Sequence, residues 1–461
     1  MEKATIALLK DLRAYALNKG LTAVIRYHAE RSHLMRFANS AISLNTSEDL
    51  TRFEIYVYDG RRRANYSLIA DPSNLEALHR GIDTAAEMVR HAQALSYEPS
   101  VAEYKEDVVD TRAYDPALAA LTNAECLAYF NQAAAGLENA DLQLSGNFMN
   151  GETFTAQIST RTEHTQFFAS TDAQITVVIS SLSQKWEVNG ERSAQKASDL
   201  DAADLHANLA FLVDKYRNCP PVQLPLGKYR IVLGPAATAE LLNFMTWIGP
   251  NGAAFKRGYS FLKEEDRGKR LFSRQFTLTD DPGEAQLFAQ SHDESGLRRQ
   301  RFAFFEAGIF KDFIWDQDTA DEFDKTPTGH DVMHGSLVLE GGQKDCGSLE
   351  ALAAMAKDQD ILYVPYIHYM NAVNPSKGLL TGSSRFGALF FKRDGSIEVP
   401  YNVRLTHSFQ DFFGDQLAWM SRQQTVYNAS ASYERRNPTA FLLPRFVCVD
   451  GLEVSHSNSS Y

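Results

Sequence analysis

Histidine and cysteine are the side chains of this chain best suited to holding a metal or starting acyl chemistry, and their spacing decides how many could. His330-Asp-Val-Met-His334 sets two imidazoles at i and i+4. That spacing shares one helix face and is similar to a zinc-binding H-E-x-x-H with Asp for Glu. Thr326-Pro-Thr-Gly329 before the pair and Gly335 after it predict a loop instead. A metal site and a pair of loop or interface histidines are therefore both open readings. His28-Ala-Glu-Arg-Ser-His33 has the wrong spacing for a shared helix face, and Glu30 stands away from both rings. The run Asp316-Gln-Asp318-Thr-Ala-Asp321-Glu322-Phe-Asp324 lacks the glycine and terminal glutamate of a calcium loop and predicts a solvated acidic face. Ser383 and Ser384, in Thr381-Gly-Ser-Ser-Arg385, have no assignable base. Cys126, Cys219, Cys346 and Cys448 form no C-x-x-C pair and predict four partly buried, reduced thiols. Hydrolase-elbow, phosphate-loop and dinucleotide-binding glycine motifs do not occur.

The elements that must carry these residues read as α+β. Residues 1–20 predict an amphipathic helix with Ile6, Leu9, Leu12 and Leu17 near one face. Strands are predicted over Thr22–Arg26, Met35–Asn45 and Arg52–Tyr58, then a helix from Ser73 to Ala94. After a helix over Thr122–Leu137, the order recurs, with strands over Thr153–Arg161, Gln166–Ala169 and Gln174–Leu182 and a helix from Leu200 to Tyr216. Met35–Ser40 and Gln166–Thr171 fall at matching places, which is either an internal repeat or chance similarity. Cys219-Pro-Pro-Val-Gln-Leu-Pro225 reads as a linker. Three segments follow: an N-terminal αβ domain over 1–110, a central αβ domain over 111–222, and a β-rich C-terminal domain over 223–461. In the last, strands are predicted over Tyr229–Leu233, Arg301–Glu306, Ile309–Trp315, Phe386–Lys392, Ser396–Pro400 and Phe446–Asp450, and helices over Leu349–Ala356 and Phe409–Met420.

With 461 residues the chain can bury a sizeable core, and its 44% hydrophobic and 23% charged content is ordinary for a globular protein. A formal charge of -12 argues against a general nucleic-acid binder. No apolar run is long enough to span a membrane, and residues 1–10 lack the features of a signal peptide, so a cytoplasmic protein is expected.

A series of blocks in order then resembles the TldD/PmbA family. Asp293-Glu-Ser-Gly296-Leu-Arg-Arg-Gln-Arg301 is similar to its D-D-E-G-x-x-x-x-R block, and Phe305-Glu-Ala-Gly308-Ile-Phe-Lys-Asp-Phe313 to its I-E-N-G-x-L-K-G-Y hairpin. Thr326–Gly329 resembles its S-T-G-N segment, although His330 and Asp331 stand where the family has Asn and a small residue. Val373-Asn374-Pro375 and Ser384-Arg-Phe-Gly387 resemble its V-N-P and S-x-G-x blocks, with Tyr369-Met-Asn371 replacing a glycine-rich stretch between them and the preceding strand. Asp394–Pro400 resembles its N-G-x-I-x-x-P-V turn, and Arg36–Ile42 with Asp59-Gly60-Arg61 fit its N-terminal domain. The family's catalytic subunit carries H-E-x-x-x-H on the helix after a V-V-L-x-P strand. Here that strand is Tyr229–Pro235, and its helix, Ala236–Trp247, holds no histidine and one carboxylate, Glu240. Cys448 lies too late for the third ligand's segment. The resemblance therefore implies the subunit type without the zinc motif, PmbA (TldE)-like. It implies no cofactor in this chain and zinc in a TldD-like partner. The pair would degrade or mature unfolded or extended peptides in a chamber between subunits. It further implies a homodimer alone, replaced by a heterodimer when the partner is present. The expected peptide-binding residues are Val373, Asn374, Pro375, Gly382 and Gly387, the glycines allowing close backbone approach. Two other readings remain: an active metallopeptidase with an atypical site near His330 and His334, and a stand-alone peptide- or protein-binding protein.

Overall fold

The computed structural model describes residues 1–288, 290–331, 335–429, 436 and 439–458. Its N-terminal half consists of α1 (Glu2–Asn18), β1 (Thr22–Ala38), β2 (Ala41–Asp59), β3 (Arg62–Ile69), α2 (Leu75–His91), β4 (Val108–Ala113), α3 (Asn123–Ala133), β5 (Leu142–Ser159), β6 (Thr165–Ser181), β7 (Glu187–Ala194) and α4 (Ala202–Asn218). Helix starts follow local chemistry. Thr122 and Glu125 form a reciprocal capping box on α3, and Asp201 caps α4. α1 buries Leu9, Leu12 and Ala16, but Leu17 is exposed. Five residues past Leu12, it is turned about 140° away around the helix.

The strand expected over Met35–Asn45 is a hairpin turn. Asn39 and Ser40 both take positive φ, 50° and 60°, the two-residue geometry that matches strand twist. β1 and β2 consequently run for 17 and 19 residues on either side. The sheet order is β3-β2-β1-β5-β6-β4, with β7 also on β6. β1 pairs antiparallel with β5, so segments 1–110 and 111–222 share one sheet. Helix, three strands, helix occurs twice along the chain. The repeat is one of elements. Met35–Ser40 closes the first strand of its unit, whereas Gln166–Thr171 opens the second strand of the other, so that pair of sequences does not mark equivalent places.

The C-terminal half contains β8 (Gly227–Leu233), α5 (Pro235–Ile248), β9 (Leu278–Asp280), β10 (Ser336–Leu339), β11 (Ile361–Val364), β12 (Tyr366–Asn374), β13 (Leu379–Arg385), β14 (Asn402–Ser408), β15 (Gln424–Asn428), β16 (Ala440–Pro444) and β17 (Val447–Asn458), with shorter strands between them. The larger sheet runs β12-β13-β14-β17-β8-β11 and continues through Leu389–Phe391, Ile397–Pro400 and Pro221–Val222. The proline-rich linker thus ends up on a sheet border, where the missing N–H breaks no ladder. The smaller sheet runs from Ile309–Phe310 through Phe302–Glu306, β9, β10 and β16 to β15. β12 and β15 are therefore the outermost strands of their sheets among the described residues. The helix expected over Phe409–Met420 stops at Phe413, because the chain turns at Gly414 and Leu417–Met420 joins β17 as a strand. Ile309–Trp315 is a strand only over Ile309–Phe310.

Two cores meet behind α5. One packs its apolar face, including Leu241, Leu242 and Met245, against Phe304, Phe305, Phe413 and Leu443. The other joins Leu205, Leu209 and Leu212 of α4 to Tyr363, Phe391 and Cys448. Through it, the N-terminal sheet holds β7 against the C-terminal half. The result is the α+β class expected, with a β-rich C-terminal part.

Candidate functional site

α5 begins where Gly234 passes the Pro365 backbone; a Cβ there would meet Pro365 Cα and the Tyr363 hydroxyl at 3.0 Å. Pro235 then opens the helix at its first turn, where its fixed φ suits the start. Ala236, Ala237, Ala239, Leu241, Leu242 and Met245 are buried. The residues left over, Glu240, Asn243, Phe244 and Trp247, follow the i, i+3, i+4, i+7 spacing of one face. Trp247 is 51% exposed, with its ring packed edge-on against Phe244 at 5.9 Å. α5 packs against both β12 and β15. A helix face with a large unburied aromatic, on a helix that packs against two border strands, is the candidate site, termed the α5 cleft.

β12 supplies one wall. Tyr369 is 75% exposed with φ at +53°, and the pairing with β13 is interrupted between His368 and Asn371. Val373 is 55% exposed on the same strand. Phe386 anchors this wall: its ring meets Tyr366 at 5.9 Å and His368 at 5.2 Å, and Arg385 stacks over it at 4.6 Å. Burial and the Arg385 charge both lower the His368 pKa, which keeps the imidazole neutral at physiological pH.

At the start of α5 lies a cavity of about 60 Å³ lined by β7, Tyr363, Tyr366 and Tyr427. Glu191 sits here beside Tyr366, and burial pushes its carboxyl up to about 7, against smaller opposing effects of the Tyr366 hydroxyl and Arg192. Burial raises Glu240 as well. Tyr427 responds to both carboxyls, Glu191 first, and its hydroxyl is raised well above its ordinary value. Tyr366 is raised by burial and by Glu191. Arg192 does not neutralise Glu191, because it is ion-paired with Asp204, which also holds Arg445.

The expected site residues divide. Val373 lies on the exposed wall. The Asn374 side chain accepts a hydrogen bond from Ser376 at 2.9 Å, and Pro375 opens the short turn that follows. Gly382 lies inside β13, paired with both β12 and β14. A Cβ there would meet Ile367 Cγ2 at 2.4 Å, so the glycine serves close packing within this sheet. Gly387, with φ at +100°, turns the chain against Leu212 of α4. Sequence reasoning missed Glu191, Tyr366, Tyr427 and Trp247. One signal was legible: Asn189, Glu191 and Ser193 alternate along a strand, placing three polar side chains on one face.

The histidine pairs lie elsewhere. His330 is buried, its Nδ1 3.0 Å from Asp280 Oδ2, and Arg299 Nη2 reaches both Asp280 oxygens at 2.8 and 2.9 Å. The backbone N–H of Ser336 donates to the same carboxylate at 2.7 Å. Burial alone would raise Asp280, but Arg299 and His330 bring it down to about 2. His334 lies outside the described residues. His28 and His33 share β1 at odd spacing and point to opposite faces; Glu30, expected away from both rings, meets His28 at 3.1 Å because residues two apart on a strand share a face, and His33 meets Ser47 at 2.7 Å. The acidic run is less solvated than expected. Asp316 caps the helix Gln317–Phe323, Asp318 pairs with Arg63 at 2.5 Å, and Asp321 accepts from the Ser100 backbone N–H at 2.6 Å. A cavity of about 420 Å³ lies over this region, but Arg26, Arg63 and Arg299 on its walls are matched by Glu294, Asp318 and Asp280. Cys126, Cys346 and Cys448 are buried, and burial pushes their thiols up to about 11, 11 and 12, so none is an activated nucleophile.

Zinc does not fit the α5 face. Glu240 is its one carboxylate, it carries no histidine, and among the described residues no three His, Cys, Asp or Glu side chains converge as a metal site.

With fold and cleft in place, comparison with known proteins defines the class. The PmbA/TldA metallopeptidase C-terminal domain matches residues 226–456, half of the chain. The chain belongs to the PmbA/TldD family. Its fold is similar to that of TldE from Thermococcus kodakarensis, with a TM-score of 0.77 at 14% identity over 98% of this chain and 100% of that one. A candidate DNA gyrase modulator from Bacteroides thetaiotaomicron gives 0.77 at 18% identity, over 97% and 98%. Another, from Thermotoga maritima, gives 0.73 at 15%, over 97% and 99%. No curated protein sequence matches the chain.

Proposed function

We propose that this chain is the peptide-holding, non-catalytic subunit of a TldD-type metallopeptidase system. The observation that carries the reading is the α5 face: a cleft walled by two border strands, whose floor offers Glu240, Phe244 and Trp247 where metal chemistry would require imidazoles. An unpaired strand edge holds an extended peptide through main-chain hydrogen bonds with little demand on its sequence. Exposed Trp247, Tyr369 and Val373 supply apolar contact beside that edge. The zinc and the water it activates belong to the TldD-like partner. On this reading the chain forms a homodimer alone, exchanges into a heterodimer with its partner, and acts in the cytoplasm on unfolded peptides.

Mixing tests it. Size-exclusion chromatography with light scattering should show a dimer of this chain, and a heterodimer once a zinc-bearing TldD-like subunit is added, because obligate interfaces bury more than about 2,000 Å². Metal analysis should find zinc in the partner only. A monomer unchanged by the partner, or about one zinc per chain of this protein lost on His330→Ala, contradicts the reading.

A further inference from the structure

The cavity at the start of α5 holds two unmatched amide oxygens and a carboxyl with no paired cation among the described residues. Asn189, Glu191 and Ser193 share one face of β7, and Ser193 Oγ already accepts from the Asn428 N–H at 2.8 Å. Asn189 is 8% exposed, lines the cavity, and its Oδ1 has no hydrogen-bond partner among the described residues. Asn208 Oδ1, on the α4 side, is likewise without one. Glu191 adds two carboxyl oxygens that accept from the Tyr366 hydroxyl, and among the described residues no cation pairs with it. Arg192 is turned to Asp204, and its Nη1 meets only the Glu191 backbone carbonyl at 3.1 Å. The helix start adds little: Pro235 has no N–H, that of Ala237 goes to the Pro365 carbonyl at 3.1 Å, and Ala236 alone keeps an N–H beside the cavity.

Unmatched buried acceptors are costly, and a group with several donors and no acceptor would satisfy them together. A primary ammonium has three N–H donors and one positive charge. The cavity is about 60 Å³. At roughly 10–15 Å³ per water-sized group, that accommodates an ammonium and the first methylenes behind it. Burial holds Glu191 near neutrality in pKa, so an arriving cation would ionise it and gain a charge-assisted hydrogen bond.

We infer that this cavity is the recognition pocket for a primary ammonium group on an extended peptide lying in the α5 cleft, either a lysine side chain or a free terminal amine. The inference rests on the peptide-holding reading above and adds a specificity to it.

Fluorescence anisotropy on the full-length chain decides it, with three labelled heptapeptides: one end-blocked with a central lysine, one end-blocked with norleucine there, and one carrying norleucine and a free N-terminal amine. At pH 8 the lysine peptide, the free-amine peptide or both should bind about tenfold more tightly than the blocked norleucine peptide. Which of them gains identifies the source of the ammonium. Glu191→Gln should bring the lysine and free-amine affinities down to that of the norleucine peptide, and circular dichroism reports whether the variant is folded. Should that variant not fold, the wild-type affinity ratio decides alone. Equal binding of all three overturns the inference and leaves the cleft reading standing. Binding of none removes both.

Discussion

Two carboxyls in this protein, one buried and one half-buried, sit in opposite electrostatic situations. Asp280 is fully enclosed, and every demand it makes is met: Arg299 on both oxygens, His330 on one, the Ser336 N–H on the other. Its pKa is accordingly held at about 2. Glu191 is half-buried among tyrosines in a cavity that also holds unpartnered amide oxygens, and desolvation raises it to about 7. A matched buried charge is a structural solution. An unmatched one in a cleft is held at a cost in stability, and such sites are where ligands find complementary chemistry. The difference separates the His330 region, which looked chemical in the sequence, from the α5 cleft, which did not.

The largest effect should come from unmatching the matched site. Arg299→Met leaves Asp280 buried without its bidentate partner and should cost about 3–5 kcal/mol in urea unfolding. A loss below about 1 kcal/mol would mean that the node is not structural.

The second effect is one of pH. Asp280 has a depressed folded pKa, so its contribution is complete above about 4 and is lost as pH falls toward 2. Glu191 has a raised one: the folded chain holds its proton where the unfolded chain releases it, so stability falls as pH rises from about 4.5 to about 7. Glu191→Gln should flatten that decline and stabilise the protein by roughly 1–3 kcal/mol at pH 8. An unchanged slope would show that Glu191 is already compensated.

Gly382→Val comes next. Its Cβ meets Ile367 Cγ2 at 2.4 Å, so the substitution should destabilise by about 1–3 kcal/mol before it affects any peptide. The sequence-based expectation that this glycine admits a peptide backbone makes the opposite forecast, weaker peptide handling at full stability, and thermal unfolding distinguishes the two. Smallest in stability is Trp247→Ser, on the exposed face of α5: unfolding should move by less than about 0.5 kcal/mol while peptide affinity drops several-fold.

How much of this was legible follows from the range of the interactions. Capped helices such as α3 and α4, and the β8–α5 unit, were readable because caps, prolines and periodicity act within a few residues. The hairpin at Asn39-Ser40 was readable in principle but was hidden by an apolar run on each side. The family's blocks pointed to Val373 as a peptide-binding residue, and it is exposed on β12, yet they could not show that β13 encloses Gly382, which depends on pairing with β12 and β14. The surroundings of Glu191 could not be read for the same reason, although its alternation with Asn189 and Ser193 could. Its neighbours, Tyr366 and Tyr427, lie more than 170 residues away, and the packing of α4 and β7 against the C-terminal half brings it to them. His330 drew attention by spacing, but its partner Asp280 lies 50 residues upstream.

The central claim, that this chain holds peptides and does not cut them, is tested most directly by a cleavage assay on an unfolded peptide with this chain alone, a zinc-bearing TldD-like subunit alone, and the mixture. The account predicts no cleavage by this chain, and more by the mixture than by the partner alone. Cleavage by this chain alone that a chelator abolishes would contradict it.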